Sequence, residues 1–120
     1  MIIGTFVVAA NGVDRTYYTP WFPRGADNAL FAYELFYDDL SGDPFSVEIE
    51  HKDAEDAGSA PGSPSGSFAQ LGSTDIYQAD ATGLKELVRF AVTVPQYGSA
   101  GESVSFRFLS PTWYSTAKVP

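Results

Sequence analysis

Hydrophobic and polar residues alternate with a period of two in several segments of this 120-residue chain. In the clearest segment the apolar members are Phe45, Val47 and Ile49, and the polar members are Ser46, Glu48 and Glu50. The same alternation recurs at residues 88–94 and 104–108. Successive side chains of a β-strand point to opposite faces, so each segment predicts a strand with one face in the core and one in water.

Segments rich in Phe, Val, Tyr and Ile, separated by Gly, Pro, Asn and Asp, predict the remaining strands. They are residues 2–10, 15–19, 29–37, 68–71 and 75–79. Asn11-Gly12 predicts a tight hairpin turn after the first strand. The near-continuous apolar run 29–37 predicts a strand that is covered on both faces or crosses the middle of the domain. Residues 84–87 open the strand 84–94 or, alternatively, form a helical turn. The pattern predicts an all-β fold, an antiparallel β-sandwich of about seven to eight short strands, jelly-roll or immunoglobulin-like, with little or no helix.

Composition supports one folded domain over residues 1–120. The chain is 44% hydrophobic and 15% aromatic, which is too apolar for a disordered protein and sufficient for one core. It contains no cysteine, which excludes disulfides and thiolate metal sites. We expect a flexible Gly/Ser/Pro loop at residues 57–66 and a C-terminal tail at 110–120.

The chain is acidic, and its charge excludes some partners. Fifteen acidic residues against seven basic ones give a formal charge of -8, which repels phosphate backbones and anionic lipid heads. We therefore expect neither nucleic acid nor a membrane as partner. The apolar start, residues 1–10, contains no basic residue and predicts a strand rather than a signal peptide, and no apolar run reaches the length of about 18 residues that a membrane span requires.

His51 is the single histidine, and it falls in phase with the inward positions of its strand. A hydrolytic triad needs a histidine base facing a nucleophilic hydroxyl, and the chain has no Gly-x-Ser-x-Gly motif. We interpret His51 as a strand-end residue half covered by its neighbours. The sequence predicts a protein that is not an enzyme and holds no cofactor, with carboxylate-only chemistry as the one class of catalysis left open.

Acidic residues are dense between positions 38 and 56. They are Asp38, Asp39, Asp43, Glu48, Glu50, Asp53, Glu55 and Asp56. One histidine and no cysteine exclude a zinc site, whereas calcium needs only oxygen ligands. The spacing does not follow a calcium-binding loop, and solvated strand faces and loop ends account for it. We predict no metal site, although a weak calcium site stays open.

Aromatic residues cluster in two segments beside prolines, and an arginine follows the first. We select as partner-binding candidates Tyr17, Tyr18, Trp21, Phe22, Arg24, Trp113 and Tyr114. Exposed aromatic and arginine side chains dominate many interfaces or stack on sugars. The alternative is that these rings plug the open ends of the sandwich.

The chain resembles the small acidic β-sandwich auxiliary proteins of tailed-bacteriophage heads, called decoration or cement proteins. The resemblance rests on a first strand beginning at Met1, the segments 18–25 and 86–90, and a Trp113-Tyr114 tail. It implies a virion protein, made in the host cytoplasm, that binds the major capsid protein or copies of itself as part of a larger assembly or homo-oligomer. A carbohydrate-binding or adhesion module is the alternative function.

Overall fold

The computed structural model describes residues 4–9, 15–38, 46–56, 61–94 and 103–116. These residues form ten strands, which are β1 Gly4–Ala9, β2 Arg15–Tyr18, β3 Phe22–Pro23, β4 Asn28–Asp38, β5 Ser46–Lys52, β6 Ala69–Gln70, β7 Ile76–Ala81, β8 Leu87–Val94, β9 Ser103–Phe108 and β10 Thr112–Tyr114. The all-β prediction is confirmed. The described residues contain no helix that is long and apolar enough to cross a membrane.

The strands form two antiparallel sheets that face each other across a core. The larger sheet has the order β1-β9-β4-β7-β6, and β10 continues the line of β9 along β4. The smaller sheet is built around β8, with β5 on one side and β2 and β3 in line on the other. The predicted β-sandwich is therefore confirmed.

The pairings between the two halves of the chain are nested. β1 pairs with β9, β2 and β3 pair with β8, β4 pairs with β7, and His51 pairs with Gly62. This is one long hairpin rolled into two sheets, which is the jelly-roll topology. An immunoglobulin-type order would pair the first strand with the second instead.

The nested order overturns the predicted hairpin at Asn11-Gly12, two residues that lie outside the described part of the chain. β1 pairs with β9 in the larger sheet and β2 pairs with β8 in the smaller one, so these strands are not two arms of one hairpin. Turn chemistry acts over a few residues, whereas each strand pairs where its apolar face is buried.

Residues 61–70 cross from one sheet to the other. Gly62 exchanges two backbone hydrogen bonds with His51 at the end of β5, of 3.0 and 3.2 Å between N and O. Ser65 then pairs with Thr82, and β6 pairs with β7 in the larger sheet. The second half of the predicted flexible loop 57–66 is thus held by backbone pairing, while residues 57–60 lie outside the described residues. Likewise, β10 lies within the predicted C-terminal tail.

The core is dominated by aromatic rings from both sheets. Phe90 of β8 stacks on Phe108 of β9 with ring centroids 4.2 Å apart and planes at 12°, and it meets the edge of Phe31 at 5.3 Å. Along β4, Phe31 and Tyr33 are buried whereas Ala32 and Glu34 are half-buried. The outward face of this strand meets solvent between neighbouring side chains, so it is not covered on both faces, but it does cross the middle of the domain as the central strand of the larger sheet.

Gly66 gives the first stability prediction, because the crossing segment needs it. Its φ is +105°, and a Cβ there would overlap the carbonyl oxygen of Asp80. Gly72 also has a positive φ, +58°, but a Cβ there would meet nothing within 4 Å. We expect Gly72→Ala to lower the free energy of unfolding by about 1–2 kcal/mol, the cost of a left-handed conformation. Gly66→Ala should lower it further, because the added methyl group also displaces backbone.

Urea denaturation of the two variants beside the parent chain measures this difference. Equal losses would show that the crossing segment does not pack against β7 as described.

Candidate functional site

A cluster of cationic and aromatic side chains lies on the outer face of the smaller sheet. Its members are Tyr18, Trp21, Glu50, Lys52 and Arg89, and we call it the Arg89 cluster. The Arg89 guanidinium carbon lies 4.0 Å from the ring centroid of Tyr18 and 4.4 Å from that of Trp21. Arg89 Nε donates to Glu50 Oε1 at 2.7 Å, and Lys52 Nζ lies 5.1 Å from the Trp21 centroid. The guanidinium is therefore fixed by two rings and one carboxylate.

The interruption between β2 and β3 creates the room for Arg89. Tyr18 pairs with Ala91 and Phe22 pairs with Val88, so the residues between them leave the ladder beside Arg89. Thr19 secures this departure, because its N–H donates to the Phe90 carbonyl at 3.0 Å and its hydroxyl accepts from the Phe90 N–H at 2.9 Å. Pro20, which has no N–H, follows directly.

The cluster is partly withdrawn from water. The side chains of Arg89 and Glu50 are 20% and 19% exposed, respectively. A cation over an aromatic face contributes about 0.5–2 kcal/mol, more when it is desolvated, and arginine combines this with planar hydrogen bonding. The outward surface is thus a patch with one exposed aromatic residue, Tyr18 at 53% exposure, two positive charges and one negative charge.

The structure brings together only part of the predicted partner-binding set. Tyr17 and Tyr18 are exposed and Trp21 is half-buried, with Tyr18 and Trp21 in the Arg89 cluster. Phe22, in contrast, is 7% exposed and packs in the core against Phe90. The prediction that Phe22 is a surface contact is therefore wrong, because its pairing with Val88 points the side chain inward.

Arg24, Trp113 and Tyr114 lie away from the cluster. The Arg24 guanidinium donates to the Leu84 carbonyl, which ties it to this chain's own backbone. The Trp113 ring meets Phe31 edge-on at 5.6 Å and covers Gly25, where a Cβ would lie 2.6 Å from the ring. Trp113 therefore closes the end of the core, as the alternative interpretation predicted for these rings.

Tyr114 is exposed and donates a hydrogen bond from its hydroxyl to Asp80, which raises the pKa of Tyr114 above its ordinary value. Its partner is on β7, so the ring lies along the outer face of the larger sheet.

Sequence reasoning missed Arg89 and Lys52 as members of a site. The outward-facing residues of β8 are Leu87, Arg89, Ala91 and Thr93, and of these Arg89 is the charged one. An isolated arginine in an otherwise uncharged strand is a signal that points to this position. The partners of Arg89, however, come from strands far away in the chain.

A comparable trio lies on the outer face of the larger sheet. Arg107 and Glu34 form an ion pair at 2.8 Å, and the Arg107 guanidinium carbon lies 5.5 Å from the ring centroid of Phe36. Phe36 is the extra residue of a β-bulge in β4 and is 50% exposed. Arg107 touches one ring at a longer distance and is more exposed than Arg89, so this trio is the looser of the two.

His51 is more buried than the half-covered position that the sequence predicts, at 8% exposure. Its Nδ1 accepts a hydrogen bond from the Lys85 backbone N–H at 3.2 Å, which leaves the proton of the neutral ring on Nε2. Burial lowers the pKa of His51, the positive charge of Lys85 lowers it further, and Asp53 opposes them. His51 thus hydrogen-bonds to the backbone of Gly62 and Lys85, as in a structural residue.

The described residues of the acidic segment bring no three potential ligands together. Within the described parts of the chain, no group of three or more His, Asp or Glu side chains is placed to hold a metal ion. Asp39 and Asp43 lie outside those parts. Glu50 instead pairs with Arg89, and the carboxylate of Asp56 accepts from the Asp53 N–H at 3.0 Å.

Comparison with known proteins identifies no relative. No protein-family model matches the chain, and no curated protein or solved structure is significantly similar to it.

We expect His51 to make stability depend on pH. Because its pKa is lowered on folding from the ordinary 6.5, the unfolded chain binds the proton more readily. The stability that neutral His51 contributes is present above about pH 6.5 and is lost as the pH falls through that value toward the lowered pKa.

His51→Asn, which retains an acceptor near the Nδ1 position, should remove the part of the pH dependence of stability that comes from His51. Urea denaturation of both proteins on either side of pH 6.5 checks it. If the two proteins lose the same free energy of unfolding on acidification, the protonation of His51 is not linked to folding.

Proposed function

We propose that this chain is a non-enzymatic structural protein of a virus particle, a decoration protein that binds the outside of a bacteriophage head and stabilises its shell. The Arg89 cluster carries the proposal. Tryptophan, tyrosine and arginine are the residues most enriched where binding energy concentrates in protein interfaces, and here all three are in contact on an outer sheet face.

The fold supports this function by analogy. Jelly rolls are frequent in viral capsid proteins and also in lectins. A fold alone does not define a function, so the argument depends on the surface. The formal charge of -8 favours a position outside the shell, away from packaged nucleic acid.

The partner in this proposal is the major capsid protein, with further copies of this chain as neighbours in the same assembly. A preformed cluster suits such a role, because Arg89 is already ordered by Glu50 and two rings before it meets a partner. Binding then costs less side-chain entropy. The place of action is the virion, after synthesis in the host cytoplasm, with neither nucleic acid, membrane nor cofactor as partner.

A carbohydrate-binding module is the second candidate, favoured by the exposed ring of Tyr18. Sugars stack on aromatic faces that are open to solvent. In the Arg89 cluster, however, the guanidinium lies over both Tyr18 and Trp21, and Lys52 also approaches Trp21. The rings are thus already engaged by cations, which favours a protein partner.

Arg89→Lys tests the proposal, with Arg107→Lys as its matched control. Each change keeps one positive charge on an outer sheet face. We expect Arg89→Lys to weaken attachment to the shell about tenfold, because lysine loses the planar contact with two rings, worth about 1–2 kcal/mol. Arg107→Lys should leave attachment unchanged. Cosedimentation with empty heads assembled from the major capsid protein encoded in the same genome measures the affinity, and circular dichroism verifies folding.

Equal binding by the two variants would remove the Arg89 cluster from the interface. A genome without a capsid gene, or binding to an immobilised glycan that Trp21→Ala abolishes, would overturn the shell proposal in favour of the carbohydrate-binding module.

A further inference from the structure

The outer edge of β5 presents backbone groups that pair with nothing in the described part of the chain. At its end, the N–H and C=O of His51 bond to Gly62, away from β8. Backbone groups of alternate residues in an antiparallel strand point the same way. Val47 and Ile49 therefore direct their N–H and C=O groups to the same edge as His51.

Gly62 pairs with one end of the β5 edge, but the residues that follow it turn away from the rest of that edge. A strand continuing from Gly62 would run beside Ile49 and Val47, but Ser65 instead pairs with Thr82 in the other sheet. Between β5 and the departing segment lies a pocket of about 170 Å³. It is lined by Val47, Glu48, Ile49, Ser63, Gly66, Ser67 and Phe68.

The size and lining of the pocket suit one apolar side chain. A cavity of roughly 150 Å³ accommodates a benzene-sized group. Val47, Ile49 and Phe68 supply apolar walls, and Val47 and Ile49 belong to β5. An extended segment can thus insert a side chain here while it hydrogen-bonds to β5.

The charge of the side chains at the β5 edge indicates which kind of segment binds there. Glu50 is paired with Arg89, whereas Glu48 is exposed and makes no ion pair within the described residues. A second copy of β5 placed antiparallel across the pocket, with Val47 opposite Ile49, would set Glu48 opposite Glu48, and like charges opposite each other are destabilising. A basic segment from a different protein fits better.

We infer that the β5 edge is a docking site for an extended basic segment of a partner protein, which adds to the smaller sheet as a strand. One apolar side chain of the segment enters the pocket, and lysine or arginine on either side of it faces Glu48. Strand addition of this kind obtains affinity from backbone hydrogen bonds and specificity from alternate side chains. The inference concerns the edge of β5, which shares Glu50 with the Arg89 cluster, and it holds whether or not the partner is a viral shell.

The test uses the full chain and a capped peptide, Thr-Ser-Lys-Val-Lys-Ser-Thr. Titration of the isotope-labelled protein should give saturable amide shifts at Val47 and Ile49 and slow the hydrogen exchange of both amides. N-methylation of the peptide's valine removes the N–H that pairs with β5 and should abolish these shifts. An acidic peptide with glutamate in place of both lysines should bind about fivefold more weakly at low salt.

Glu48→Lys should reverse this preference, so that the acidic peptide binds more tightly than the basic one. Asp75→Lys makes the same change in net charge at an exposed position in the turn before β7, and should leave the preference unchanged. The inference is overturned if no saturable shift occurs at Val47 and Ile49, if the N-methylated peptide binds equally well, or if Glu48→Lys and Asp75→Lys behave alike. The peptide titration reports on the amides of Val47 and Ile49, whereas cosedimentation of Arg89→Lys reports on attachment to the shell, so the two proposals fail separately.

Discussion

The ring of Phe90 holds the two sheets together. It projects from the central strand of the smaller sheet into a group of rings, stacking on Phe108 and contacting Phe31, Phe22 and Phe68. Phe31 and Phe108 belong to the larger sheet, and Phe68 belongs to the crossing segment. One side chain therefore contacts both layers and the segment that joins them, and aromatic pairs add about 0.5–1.5 kcal/mol each beyond the area that they bury.

This arrangement leaves the outer sheet faces available for contacts. The inward positions of β8 are all committed to the core, so Arg89, which points outward between them, determines what the smaller sheet presents. The Arg89 cluster is in turn positioned by Thr19, whose two hydrogen bonds go to the backbone of Phe90. The residue that anchors the core thus also fixes the start of the segment that carries Trp21.

The sequence predicted well what depends on a local period. The inward and outward positions of β5, β8 and β9 follow the alternation of apolar residues, as Val47, Ile49, Val88 and Phe106 show. The local pattern failed to predict burial where it depends on pairing between strands that are far apart in the chain. Trp21 and Phe22 are adjacent aromatic residues, yet Phe22 pairs beside Val88 and enters the core while Trp21 stays outside.

The candidate site shows the same limit. Tyr18 and Trp21 were recognisable as a cluster, but Arg89 contacts them only because β2 and β3 flank β8. Neither composition nor periodicity specifies that neighbourhood. The wrong hairpin at Asn11-Gly12 has the same origin, since a turn motif describes a few residues and the nested topology is set by the whole chain.

The nested pairing also has a kinetic consequence. Its innermost pair joins residues 51 and 62, whereas its outermost strands join Gly4 to Phe108. Loop-closure entropy rises with the length of chain enclosed, and folds dominated by distant contacts refold in milliseconds to seconds. We therefore expect this small domain to fold slowly for its size, with the pairing of β1 and β9 forming last.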